Sequence, residues 1–315
     1  MNNEFVPFVH SLKYKEIEHF LYQCGMEYQL SFHPSSCKMY KGVSDGRFAI
    51  NDTLCFVDRI PKEHSVKNLN GALVITTKKL HTYFPEANAV YTTDPRALFI
   101  HLLERFDKER ICSPFTSEIP LHAQTIDSNA IIDANAAIEE GVSIGAGSII
   151  SAGCVLKRGT VIGENCILRE NCVIGCDGIA LYKSMLGEIL RFPHLAGVKI
   201  GNNVEVGAST VIVRGTLTNT VIGDDTVIGN LCNIGHGVKI GEKVWMSVGT
   251  LIGGNCTLGN HTTIGLGVRV KDNLKIGENV SIGMGSVVTK NLPSDISVFG
   301  NPAKRLRSLT TGPQR

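Results

Sequence analysis

Residues 222–240 read Ile222-Gly223-Asp224-Asp225-Thr226-Val227-Ile228-Gly229-Asn230-Leu231-Cys232-Asn233-Ile234-Gly235-His236-Gly237-Val238-Lys239-Ile240. An aliphatic residue returns at every sixth position: Ile222, Ile228, Ile234, Ile240. A small or β-branched residue stands four places after each: Thr226, Cys232, Val238. A period of six is neither the 3.6 of a helix nor the 2 of a half-buried strand. Six residues make one short strand and a bend, so three of them close a triangular coil of about 18 residues. Stacked coils would bury a continuous aliphatic column.

The period runs well beyond this stretch. Upstream it covers Ile126, Ile132, Ile138, Ile144, Ile150, Leu156, Ile162, Leu168 and Ile174, and resumes at Ile200, Val206 and Ile212. Downstream it continues through Met246, Ile252, Leu258, Ile264, Val270, Ile276 and Ile282 to Val288. Residues 175–199 and 213–221 break it, and interruptions of a strict solenoid are where function concentrates.

Composition agrees with short strands and tight turns. Among 315 residues there are 33 glycines, and 43% are hydrophobic but only 6% aromatic. Lys+Arg number 31 against 29 Asp+Glu, a net charge of +2 without the clustered basic excess of a nucleic-acid or membrane-surface protein. No segment has the ~18 uninterrupted apolar residues of a membrane span. Met1-Asn2-Asn3-Glu4-Phe5 does not open a signal peptide, so a cytoplasmic location is expected. Ten cysteines include no Cys-x-x-Cys pair, and Cys154, Cys166, Cys172, Cys232 and Cys256 fall on the small interior position of the repeat. They read as buried reduced thiols rather than metal ligands, and no metal is expected.

Residues 1–118 have a different pattern, that of a small α/β domain. Tyr14, Ile17, Leu21 and Cys24 share a helical face. Gly71–Thr77 and Ala89–Thr92 read as strands. Asp94-Pro95 caps a helix that puts Leu98, Leu102, Leu103 and Phe106 on one side. Ser113–Glu118 is the expected linker, 119–303 the repeat domain and 304–315 a basic tail.

Acyl transfer to an amine needs a base for the ammonium proton and a donor for the oxyanion. His236 stands two residues after a core aliphatic, between Gly235 and Gly237, and follows both interruptions. One coil further on the same position is Gly254, whose N–H could approach a thioester carbonyl closely. His194 in the long interruption, together with Arg214 and Asn230, are candidate substrate contacts. A zinc hydratase would need three converging histidines. The spacing of His194, His236 and His261 offers none. A non-catalytic β-helix scaffold would leave His236 without a use.

The hexapeptide pattern resembles the left-handed parallel β-helix of the hexapeptide acyltransferases, which assemble as trimers with active sites between subunits. More specifically, the chain is similar to the UDP-3-O-acylglucosamine N-acyltransferases of lipid A biosynthesis. The likeness rests on Asn51–Phe56, Asp94–Phe99, Ile174–Gly178, Phe192–Leu195, Val204–Ala208 and Ile234-Gly235-His236. It implies a uridine-binding N-terminal domain with Phe56 stacked on the base, a catalytic base at His236 and an oxyanion-stabilising backbone at Gly254.

The departures are as specific. A family Gly-Phe-Gly-Phe/Tyr-Ala stretch is here Gly178-Ile179-Ala180-Leu181-Tyr182, and Asp-Arg-Gly is Val213-Arg214-Gly215. The Asn-Pro-Lys-Tyr after the uracil-stacking residue is degraded to Asp58-Arg59-Ile60-Pro61-Lys62, and a second family histidine gives way to Lys271-Asp272-Asn273. The helices that handle acyl carrier protein have no counterpart. Gly283–Lys290 and Gly300-Asn301-Pro302-Ala303-Lys304 instead resemble the end of acetyl-CoA-dependent sugar acetyltransferases. That likeness assigns Gly285, Asn301, Pro302 and Lys304 to the coenzyme, with Lys304, Arg305 and Arg307 near its phosphates.

The sequence thus predicts a mainly β protein, a homotrimer acting on a UDP-linked amino sugar. Acetyl-CoA is the favoured donor, and a hydroxyacyl chain on acyl carrier protein is the alternative.

Overall fold

The computed structural model describes residues 5–31, 38–61, 63–112, 125–302 and 304–305. The expected linker, Arg307 and most of the basic tail lie outside the described residues. The chain forms two compact units. One comprises Met1–Leu121, Ile179–Ala196 and Thr216–Thr218, and the other His122–Gly178, Gly197–Gly215 and Asn219–Arg315.

The first unit holds β1 (Val6–Lys13), α1 (Tyr14–Gln23), β2 (Gln29–Leu30), β3 (Met39–Val43), β4 (Thr53–Phe56), α2 (Glu63–Leu69), β5 (Leu73–Thr76), α3 (Lys78–His81), β6 (Asn88–Tyr91) and α4 (Pro95–Lys108). The strands form one sheet in the order β1-β3-β4-β5-β6-β2, parallel from β3 to β6 and antiparallel at both edges. All four residues of β5 are buried, as a central parallel strand covered on both faces requires. Leu54, Leu73 and Ile75 pack with Leu98, Leu102, Leu103 and Phe106 of α4 and with Ile17 and Leu21 of α1. Cys55 and Val74, pointing the other way, pack with Leu69 and Phe84. The Asp94 carboxylate accepts the Ala97 N–H at 3.1 Å, so the cap expected before Pro95 starts α4.

Residues 179–196 were expected only as an interruption of the solenoid. They form an antiparallel hairpin, Leu181–Lys183 with Ile189–Arg191, and cluster with the first unit. The physical reason is apolar burial. Leu190 packs on Ala97 and Ile100 of α4, and Leu195, Ala196 and Phe192 join the main core of that unit.

The second unit is a parallel β-helix whose strands of two to four residues stack into sheets of ten, eight and seven strands. Pairing follows the hexapeptide period: Ile234 pairs with Ile252, Ile240 with Leu258, Met246 with Ile264. Both interruptions are extruded and the coil register resumes after them: Ile174 pairs with Ile212 and Ile212 with Ile234, with one irregularity between Ile174 and Cys176. The aliphatic column from Ile144 to Val288 is buried throughout. Each side chain withdrawn from water contributes on the order of 1.5–3 kcal/mol. One part escaped the sequence pattern. A last, shorter coil follows Val288, with Ile276 bridging to Leu292 and Ile282 pairing with Val298.

The small interior position is buried as expected, and its thiols satisfy themselves locally. Cys166, Cys172, Cys232 and Cys256 donate to the carbonyls of Gly201, Gly207, Ser247 and Lys271 at 3.0–3.3 Å. Burial pushes the Cys166, Cys232 and Cys256 thiols up, away from reactive thiolate. Most corners place one residue in the left-handed region, such as Asp225, Leu231, Asn255, His261 and Asn273. His261 is therefore a turn residue, as its setting implied.

Candidate active site

His236 follows the strand Asn233–Ile234 at a corner fixed on both sides. Its carbonyl accepts the Asn255 N–H at 2.7 Å, and the Gly237 N–H donates to Thr220 Oγ1 at 2.9 Å. Thr220, fully buried, in turn donates to the Val213 carbonyl at 2.7 Å. One hydroxyl thus ties the turn after His236 to the end of the strand that precedes Arg214. Nothing in the period singles out Thr220, and sequence reasoning missed it.

The register places Arg214, His236, Gly254 and Asp272 each two residues beyond a paired core aliphatic (Ile212, Ile234, Ile252, Val270), so they form one column across successive coils. Stacked strands are about 4.8 Å apart. The His236 ring lies against Gly254. A Cβ on that glycine would fall 2.5 Å from Nε2, 2.7 Å from Cε1 and 2.9 Å from Cδ2 of the imidazole. The ring takes the place of a side chain at 254, so any Cβ there would displace it. Gly235 is needed too, since a Cβ on it would stand 2.7 Å from the Gly254 nitrogen. The Gly254 carbonyl accepts the Asn273 N–H at 2.8 Å, while its own N–H meets no acceptor among the described residues.

His236 is half-buried. Burial lowers its pKa below the ordinary 6.5, and the Asp272 charge pulls it partly back. The imidazole is therefore neutral near pH 7 and able to accept a proton. Arg214 is buried, its N–H donating to the Cys176 carbonyl at 3.0 Å.

The remaining expected site residues are dispersed. Asn230 is exposed, and its carboxamide oxygen accepts the Ala208 N–H at 2.8 Å. That corner bond recurs where Asn202 accepts from Glu164 and Asn260 from Glu242. Gly285 occupies a left-handed corner (φ +66°) with open space around it. It lies in the last full coil, near where Gly300 donates to Ser286 Oγ, and Lys304 pairs with Phe299 just beyond. Asn301, Pro302 and Lys304 are all exposed.

Phe56 and His194 belong to the first unit. His194 is buried. The Phe56 ring lies 5.0 Å from that of Phe99 and 6.3 Å from that of Phe192. The Arg96 guanidinium stands 5.5 Å from Phe56 and 5.0 Å from Tyr182, between the two rings, and pairs with Asp58 at 2.5 Å. A base stacking on Phe56 would share the ring with this cation. Asp94 gathers the hairpin here, accepting from the Tyr182 hydroxyl and the Met185 N–H, each at 2.8 Å. Burial and the Asp94 charge push the Tyr182 phenol up to about 12.

Comparison with known proteins supports the repeat assignment. Residues 125–158 match the bacterial transferase hexapeptide (six repeats), and residues 249–290 the hexapeptide repeat of succinyl-transferase. A probable UDP-3-O-acylglucosamine N-acyltransferase 2, mitochondrial, of Arabidopsis thaliana is 51% identical over 69 residues, 22% of this chain and 23% of the relative. The UDP-3-O-acylglucosamine N-acyltransferase of Rickettsia conorii is 46% identical over 84 residues, 27% of this chain and 24% of the relative. The matched segments thus span about a quarter of the length of these relatives. The UDP-N-acetylglucosamine acyltransferase structure from Campylobacter jejuni overlays with a TM-score of 0.49 at 21% identity, covering 58% of this chain and 74% of that one. Among the described residues no helix is long and apolar enough to cross a membrane. The chain is a parallel β-helix built on hexapeptide repeats with a small α/β unit, and over about a quarter of its length it is similar to the UDP-3-O-acylglucosamine N-acyltransferases.

Proposed function

We propose that the protein is an N-acyltransferase that moves an acyl group from a thioester to the amine of a UDP-linked amino sugar. The observation that carries this reading is the contact of the neutral His236 ring with Gly254, whose N–H is unengaged among the described residues. The pair supplies a base and an oxyanion donor at one corner.

In the reaction the sugar amine attacks the thioester carbonyl, and His236 takes the amine proton as the C–N bond forms. The Gly254 N–H holds the developing oxyanion. Collapse breaks the C–S bond, and the thiolate leaves, protonated from the imidazolium or water. Orientation of amine and thioester replaces any covalent enzyme intermediate. A second and third copy of the chain would complete the site, as in the trimers that the resemblance implies.

The names of the relatives favour a 3-O-acylated UDP-glucosamine as acceptor, and the resemblance to that family implies a hydroxyacyl chain on acyl carrier protein as donor. Acetyl-CoA remains the second reading, on the exposed Lys304 and Arg305 beside the open corner at Gly285. Mass spectrometry of UDP-amino-sugar products, with each donor in turn, separates the two. Product from acyl carrier protein alone supports the first, and acetylated product from acetyl-CoA alone supports the second. Product from neither contradicts acyl transfer to these acceptors.

A further inference from the structure

We propose that Asp272 is a positioning residue for His236, facing the imidazole across the bare backbone of Gly254 and stabilising the imidazolium formed when the ring takes a proton. This deepens the acyl-transfer reading and rests on it.

Three coils carry the arrangement. Ile234 pairs with Ile252, and Ile252 with Val270, so His236, Gly254 and Asp272 succeed one another up the same corner. From below, the ring fills the place of the absent Gly254 side chain. From above, the Asp272 nitrogen lies 2.5 Å from where a Cβ of Gly253 would stand, and the Asn273 N–H donates to the Gly254 carbonyl at 2.8 Å. The coil bearing Asp272 is thus clamped onto the glycine pair that His236 leans against. Any larger residue at 254 would separate ring from carboxylate.

Chemistry gives the carboxylate a role. A half-buried imidazole disfavours its own protonated form. A nearby fixed anion offsets that penalty as the proton arrives, as a carboxylate behind a catalytic histidine does elsewhere. Cations flank this column: Arg214 one coil before, Lys239 in the next strand of the same coil, Lys271 beside Asp272 and Lys290 one coil beyond. All four are cations and cannot offset the burial penalty. The Asp272 charge does, raising the ring's pKa against the effect of burial. The Asp272 carboxylate also accepts from Asn273 Nδ2, which steadies it at the surface.

The test is Asp272→Asn in the full chain, read first by NMR titration of the His236 ring protons, assigned with His236→Ala. The ring is expected to titrate at lower pH than in the unsubstituted protein, and Asp272→Glu to restore most of the difference. In turnover, the acid limb of kcat/KM should move the same way, and plateau kcat should fall about tenfold with KM nearly unchanged, less than the ~10²–10⁴-fold of losing the base. An unmoved titration with the fold intact overturns the proposal. A shifted titration in a protein that never turns over would leave the electrostatic pairing standing and remove the acyl-transfer reading instead.

Discussion

The His236 ring occupies the space that a side chain on Gly254 would fill, its Nε2 lying 2.5 Å from the would-be Cβ. The proposed base and the residue proposed as oxyanion donor thereby pack together through the absence of a methyl group. Gly254→Ala should displace the ring and crowd the N–H. Activity is expected to fall by about 10²-fold or more, of the order seen when one oxyanion donor is lost. The fold should survive, because the ring is half-exposed and lies at the end of a side chain that can change rotamer. Near-normal turnover of a well-folded Gly254→Ala protein would show that the contact is incidental.

The pH dependence follows from the same ring. Burial holds the His236 pKa below 6.5, and the reactive form is the neutral one. Rate should therefore rise with pH through a limb below 6.5 and be flat at neutrality. The stability effect has the same direction. The unfolded chain binds a proton at His236 more readily than the folded one, so stability is lost as pH falls below 6.5. A pH–rate profile and urea melts at pH 5 and 7 check both. A limb above 6.5 would mean that a different group is titrating.

Thr220 connects the strand before Arg214 to the turn after His236. Thr220→Val keeps the volume but leaves the buried Gly237 N–H and Val213 carbonyl without the hydroxyl that both use. A loss of about 1–3 kcal/mol is expected in urea unfolding. Activity should fall further than the stability loss explains, since the turn that carries His236, the proposed base, is loosened. Serine at 220 should restore most of both.

In the first unit, Asp94 caps α4 and holds the hairpin through Tyr182 and Met185. Asp94→Ala should cost more than the ~1 kcal/mol of an ordinary cap, because three donors lose their acceptor together. Proteolysis should then cut first within residues 183–189. Unchanged protease resistance would show the hairpin to be held by Leu190 and Phe192 alone.

The solenoid was legible because its period is written in nearly every coil. Ile234 and Ile252 pair where the spacing puts them, and the glycine expected above His236 lies against the ring. The cap at Asp94 was readable for the same reason, a local signal with a local cause. What escaped depends on contacts distant in sequence. The hairpin at 181–191 belongs with α4 through Leu190, which no hexapeptide period reports. The cation between Phe56 and Tyr182 joins residues from three separate segments. The last coil is shorter than its predecessors, so Leu292 and Val298 fall out of phase. Thr220 and Asp272 act through stacking between coils, visible only when the register is known.

The most direct test of the central claim is single-turnover acyl transfer by His236→Ala beside the unsubstituted protein, at pH 7.5 with saturating donor and UDP-amino sugar. If His236 is the base, the rate falls by about 10²–10⁴-fold while substrate binding persists. A variant that keeps more than about a tenth of the rate would contradict the account.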